Sequence, residues 1–206
     1  MTNLLDFYSG ADGEPMPTLS EMKLGQEPAM AMLFTPDSEE VRLHYVSDDA
    51  VRAYVVCPGS GCPLCYCAVE PKTYHLLPVL DMESGMVKVL RIPARRQPDG
   101  LGPLLVPHLR DEAIASKVIL ISRNGAKYTV EARALGANAK RGEHQIKAFV
   151  DDREAGMTLG SAFPHMTPEE LAEVPTIAAK LDALGGWEPP ATATSDPDQD
   201  GNTAEA

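Results

Sequence analysis

The chain has 206 residues, 18 Lys plus Arg against 30 Asp plus Glu, and a formal net charge of −12. It is 44% hydrophobic and only 5% aromatic, so a core here rests on aliphatic side chains. With 16 Gly and 18 Pro the chain is rich in turns, which argues against a helical bundle, and no run nears the ~20 apolar residues of a membrane span.

Residues 1–27 are polar, carry five acids and only Lys23, and read as a loose N-terminal arm without a secretory signal. From Ala29 the texture changes to short strand-like runs near 29–34, 40–47, 51–57, 72–80, 86–92, 117–123, 126–133 and 145–150. Val41, Leu43 and Tyr45 alternate onto one face, which places Tyr45 in the core. Residues 101–114 suit a short helical crossover, weakened by Pro103 and Pro107. Asn124-Gly125 predicts a two-residue hairpin turn in which Ile121 faces Tyr128. Ile119, Ile121, Tyr128 and Val130 then share an apolar face, with Arg123 at the rim. Thr167-Pro168-Glu169-Glu170 is a helix start, Pro175 splits the following stripe into two pieces, and Gly185-Gly186 stops it. Residues 188–206 hold five acids and no Lys or Arg, a composition expected to be disordered.

Charge is segregated. Residues 86–147 hold 12 Lys/Arg against 5 Asp/Glu, so a basic middle of +7 lies inside flanks totalling −19. Such a stripe suits a polyanion site, although a solvated mixed-charge surface gives the same count.

All four cysteines fall between 57 and 67. Clustering of this kind reads as a metal site in a reducing compartment, hence a cytoplasmic protein. Cys62-Pro63-Leu64-Cys65 is a C-x2-C knuckle, and Cys57 precedes it by five positions across a Gly-rich turn. The fourth ligand is Cys67 or His44; two ligands at Cys65-x-Cys67 are sterically awkward, which favours His44. The set His44, Cys57, Cys62 and Cys65 is a closed Cys3His site for one structural Zn²⁺, with no open position for a catalytic water. Buried free thiols or two disulfides are the less favoured readings.

His44-x12-Cys57-x4-Cys62-x2-Cys65, followed by Tyr74-His75-Leu76-Leu77-Pro78-Val79 and Val87-Lys88-Val89-Leu90, resembles the zinc-containing single-stranded DNA-binding (helix-destabilising) proteins of tailed bacteriophages. The segment Ile121-Ser122-Arg123-Asn124-Gly125-x-x-Tyr128 is similar too. The resemblance covers roughly residues 30–150. It implies a mainly β chain with an OB-fold-like barrel over 28–151 and a small zinc-binding subdomain at about 44–67. Beyond it lie short C-terminal helices within 152–187 and an acidic tail that contacts replication or recombination proteins. Cooperative self-association along DNA, carried in that family by a basic arm, meets an acidic arm here.

The composition suits the same function: basic residues for phosphates and aromatics for bases. The phosphate candidates are Lys88, Arg91, Arg95, Arg96, Arg123 and Lys127. Strand alternation allows at most one of Lys88 and Arg91 into a groove. Tyr54 and Tyr74 are the stacking candidates. No Walker loop, H-E-x-x-H motif or nucleophile elbow is present, so an enzyme is not expected. A zinc-stabilised protein-interaction or transcription-regulatory module without a DNA groove is the alternative.

Overall fold

The computed structural model describes residues 19–95, 97–111, 117–135 and 142–188. Most of the arm (1–18) and the acidic tail from 189 lie outside the described residues.

Seven strands form one antiparallel sheet: β1 (Ala29–Leu33), β2 (Glu39–Ser47), β3 (Arg52–Val56), β4 (Lys72–Asp81), β5 (Val87–Pro93), β6 (Lys117–Asn124) and β7 (Lys127–Ala134). The order is β3-β2-β4-β1-β6-β7, with β5 on the far edge of β4. Ten-residue β4 organises the sheet. Its N-terminal half pairs with β2 through Val41↔Tyr74, its C-terminal half with β1 through Leu33↔Val79, and its other edge with β5 through Leu77↔Leu90.

The chain is mainly β, as expected, but the sheet is open: no ladder joins β5 to β6 or β7 among the described residues. The arm spans that gap instead. Met22 N–H donates to Val89 O (2.8 Å), Val89 N–H donates to Ser20 O (2.8 Å), and Arg123 N–H donates to Gly25 O (2.7 Å). Residues 19–25, expected to be loose, are thus docked along β5 and tied to β6. The reason is apolar: Leu19 and Met22 are buried in two different core clusters.

Both faces of the central strands are covered, which is why Leu76–Leu80 is a continuous apolar run. On one face Leu77, Val79, Leu90 and Ile92 pack with Leu101 and Leu105 of helix α2 (Leu101–Leu109), the expected crossover. Its Pro103 falls in the first turn, where no intrahelical N–H is lost. On the other face Val41, Leu43, Tyr74, Leu76 and Val89 pack with Phe149 of α3 (Glu143–Glu154) and with Leu159 and Phe163 around a 3-10 turn (Leu159–Ala162).

Helix α3 replaces the strand expected at 145–150. Phe149 is its buried residue, Val150 is exposed, and Lys147 pairs with Asp151 one turn on (2.7 Å). Arg153 reaches Glu39 (3.1 Å), whose carboxylate also accepts Leu159 N–H (2.8 Å). The Lys147–Asp151 pair and the Phe149 and Arg153 positions, one turn apart, have helical spacing, which overrides a brief period-two alternation.

The hairpin forms one residue further along than expected. Arg123 faces Tyr128 and Ile121 faces Val130, so Gly125-Ala126 is the loop. Gly125, at φ +60°, is the first central residue, as a type II′ turn requires. Both strands shift together, so Ile119, Ile121, Tyr128 and Val130 still share a face, now with Arg123 among them.

The C-terminal helices follow the expectation. Helix α4 (Pro168–Ala172) opens with a capping box: Glu170 N–H donates to Thr167 Oγ1 (3.2 Å) and Thr167 N–H to Glu170 Oε2 (2.8 Å). Helix α5 (Pro175–Ala183) starts at the predicted proline, and Gly185 and Gly186 leave it at positive φ. Val174, the cap residue of α5, has no side-chain acceptor. Asp48, after β2, supplies one: its carboxylate accepts Ala50 N–H (2.8 Å) and Thr176 N–H (3.0 Å), which pull the Asp48 carboxyl below its usual range, Ala50 the more strongly.

Candidate functional site

Two sites share the β2–β3 ribbon, one on each face. Burial along β2 changes face at His44: Val41 and Leu43 are buried, then His44 and Val46, while Tyr45 is 51% exposed. The face of Val41 and Leu43 leaves the core at Tyr45 and opens into a groove. The opposite face, at His44 and Val46, passes under the cysteine knuckle.

The knuckle is built by its turn residues. Gly59 and Gly61, at φ +84° and +77°, fold the chain back so that Cys62 approaches Cys57. Cys62 caps the one-turn helix α1 (Pro63–Tyr66). Ala68, at φ +57°, closes that helix with Ala68 N–H donating to Cys65 O and Val69 N–H to Leu64 O, a Schellman arrangement in which glycine is usual. Cys57 N–H donates to Arg42 O (2.9 Å), which fixes the other arm beside β2.

His44, Cys57, Cys62 and Cys65 bring their four ligand atoms within 4.8 Å of one another. His44 Nε2 lies 3.4 Å from Cys62 Sγ and 3.5 Å from Cys65 Sγ, and Cys57 Sγ lies 3.8 Å from Cys65 Sγ. Zinc bond lengths with tetrahedral angles give edges of about 3.6 Å for N···S and about 3.8 Å for S···S. The cluster can hold one metal ion. Cys67, the other possible fourth ligand, is outside it, half-buried against the surrounding apolar side chains.

Burial pushes the Cys65 thiol up to about 12, with Cys57 and Cys62 beside it adding to the shift, and burial pushes Cys62 upward too. His44, 1% exposed, has its imidazole lowered by burial and then by the Arg42 charge. Without a cation, burial therefore favours the neutral forms of His44, Cys62 and Cys65. A dication reverses that balance, since a coordinating thiol is deprotonated outright. His44 Nδ1 is buried without a hydrogen-bond partner among the described residues, so the ring is oriented by packing and by its Nε2 neighbours. Around the site Val46, Val55, Cys62 and Leu64 pack with Leu171, Val174, Ile177 and Leu181, so α4 and α5 form its outer wall. Trp187, the chain's single tryptophan, packs against the same cluster.

On the other face lies a groove of about 1040 Å³. Cross-strand pairing explains its floor: Tyr45↔Tyr54, Leu43↔Lys72, Val41↔Tyr74 and Leu76↔Arg91 lie on one sheet face. Tyr45 and Tyr54 stand 5.0 Å apart between ring centroids, and Tyr54 meets Tyr74 edge-on at 5.8 Å. Six cations and two carboxylates line the groove, so its field is positive in an acidic protein. Burial raises the Tyr74 hydroxyl to about 12, helped by its hydrogen bond with Tyr54. For Tyr54 burial is outweighed by the Arg91 and Tyr74 hydrogen bonds and the Arg91 and Lys72 charges, and its hydroxyl is lowered.

Of the eight residues assigned to this role from sequence, Tyr54, Tyr74, Arg91, Arg95 and Arg123 line the groove. Lys88 does not: it points to the other strand face, as alternation requires, and pairs with Asp81 (2.6 Å). Asp81 also accepts Glu83 N–H and the Ser84 hydroxyl, which makes it the organiser of the β4–β5 turn. Lys127 is exposed on the opposite side of the hairpin, and Arg96 lies outside the described residues. The sequence reading missed Arg52, Lys72 and Lys23, because the charge window began at residue 86, and it placed Tyr45 in the core, whereas Tyr45 lines the groove because the layer covering Val41 and Leu43 ends before it. The signal was present: Arg52-x-Tyr54 and Lys72-x-Tyr74 each put a cation and a tyrosine on one strand face. Tyr128, expected in the core, packs on its margin and also forms the far wall of the groove, with the Arg123 guanidinium 5.6 Å over its ring.

No helix among the described residues is long and apolar enough to cross a membrane. Searches of protein-family models, curated proteins and solved structures each found no match to this chain.

Proposed function

We propose that the protein binds single-stranded DNA in the tyrosine-lined groove and that Zn²⁺ occupies the His44, Cys57, Cys62, Cys65 cluster as a structural ion. The observation that carries the first part is the alternation of tyrosines and cations on one open sheet face. Aromatic faces stack bases of any sequence, and cations beside them neutralise the backbone. Neighbouring tyrosine rings on the groove floor lie 5.0 and 5.8 Å apart between centroids, a scale suited to successive bases. The zinc assignment rests on donor chemistry: three thiols and one imidazole at tetrahedral spacing select a small, soft-tolerant dication. When bound, the ion supplies cross-linking energy; the residues it joins come from β2, the end of β3 and α1.

Arg52, Lys72, Arg95 and Arg123 are the groove cations with no carboxylate partner among the described residues. If each neutralises one phosphate, log K against log salt has a slope of about −2.8, from ~0.7 per contact on a single strand. Anisotropy titration of labelled oligo-dT across 50–400 mM salt, with duplex and RNA competitors, tests this. Binding that is salt-insensitive or that prefers duplex refutes it; such a result favours the zinc-stabilised interaction module.

A further inference from the structure

The groove already contains an anion. Glu21 lies on the docked arm between the two backbone bonds to Val89, so its position is fixed by the main chain. Its Oε1 accepts from Arg91 Nε (2.7 Å) and its Oε2 from Lys23 Nζ (2.7 Å). Both carboxylate oxygens are thus engaged: two of the six groove cations are paired with one side chain, whose single charge offsets one of theirs. The same contact sets the place of the Arg91 guanidinium, which lies 3.7 Å from the centroid of the Tyr54 ring and 4.8 Å from that of Tyr74. That 3.7 Å is a stacking distance. Arg91 occupies the face of Tyr54 that a base would need, and Glu21 holds it there.

We infer that Glu21 is an internal phosphate mimic which, through Arg91, plugs the central stacking position of the empty groove and sets its affinity. The inference rests on the single-strand reading above. An incoming strand supplies a phosphate that replaces the Glu21 carboxylate on Lys23 and Arg91, and a base that replaces the guanidinium on Tyr54. The arm need not leave, because Leu19 and Met22 anchor it and only the Glu21 side chain has to turn. Glu21 is accordingly a specificity-determining residue: it disfavours weak polyanions that cannot also stack, since they repay the lost carboxylate contacts without filling the tyrosine face.

The test is oligo-dT binding by the full chain and by Glu21→Gln, Glu21→Ala and Glu70→Gln. Glu70 lines the same groove and controls for charge alone. Freeing one cation steepens the salt slope by about 0.7, which corresponds to roughly eightfold tighter binding at 50 mM salt and roughly threefold at 200 mM, relative to 1 M. Glu21→Gln and Glu21→Ala are expected to show that gain, and Glu70→Gln a smaller one with an unchanged slope. Heparin, which cannot stack, should gain more from Glu21→Gln than oligo-dT does. Equal gains at Glu21 and Glu70 overturn the plug and leave bulk charge as the cause. Unchanged or weaker binding by both Glu21 variants, or their loss of a cooperative melt, makes Glu21 a brace for Arg91 and overturns it as well. If the wild-type chain does not bind oligo-dT, the single-strand reading fails first, and this inference with it.

Discussion

Replacing Cys62 by Ser removes one of four ligands, and the consequence should extend well beyond the knuckle. Leu171, Val174, Ile177 and Leu181 are each no more than 5% exposed, and they pack on Cys62, Leu64, Val46 and Val55. At about 1.5–3 kcal/mol per buried aliphatic side chain, docking of α4 and α5 gains at most about 6–12 kcal/mol from this surface. A structural zinc is worth about 10–16 kcal/mol in small peptides. The two terms are of similar size and share the same residues, so they should be lost together. Even a loss of about 3 kcal/mol, a quarter of the ligand set, lowers the melting temperature of a chain this long by roughly 6–12 °C. Elemental analysis of the purified protein should give one zinc per chain, and Trp187 fluorescence should report undocking in Cys62→Ser. Cys67→Ser should retain the metal. A zinc ratio near zero, or a melting shift under about 2 °C in Cys62→Ser, refutes the reasoning.

Three other outcomes are expected. Tyr45→Ala and Tyr54→Ala should each weaken oligo-dT binding by about 1–3 kcal/mol, the cost of one stacked base, while Lys127→Ala binds as wild type; titration of the three variants at one salt concentration checks this. Arg95→Ala combined with Arg123→Ala should flatten the salt slope by about 1.4, equally for all sequences. Asp48 is a carboxylate whose folded pKa is lowered, so its contribution is present above the ordinary carboxylate range and is lost as pH falls through the folded value. Acidification from pH 5 to pH 3 should therefore loosen the start of α5 in wild type; Asp48→Asn, which has no such group to protonate, should lose this component of the pH dependence, as read from Trp187 emission.

Much of this was legible because the signals were local. The metal ligands sit within 22 residues and include a knuckle whose geometry is nearly independent of context. The capping box at Thr167, the break at Pro175 and the stop at Gly185-Gly186 are set by chemistry within one turn. What could not be read depends on what covers a strand. Tyr45 alternates with Val41 and Leu43 as predicted, and period two is correct, yet the covering layer ends between Leu43 and Tyr45. Strand alternation carries no information about where a neighbour stops. The segment 145–150 failed for the related reason that six residues carry too few turns to separate the two periods. The role of residues 19–25 was hidden by polar composition, since two buried side chains, Leu19 and Met22, do not change a window average.

The docked arm also has a consequence for the order in which the molecule assembles. Gly25 leaves the ribosome 98 residues before Arg123, to which it bonds. At about 5–20 residues per second the arm waits about 5–20 s for that partner. During this interval Ser20 and Met22 can already pair with Val89 and cover the edge of β5, while the tie from Gly25 to β6 is still to form. Glu21 and Lys23 keep the waiting segment charged and solvated, so the residues that occupy the groove in the finished protein also guard the β5 edge while it is being made.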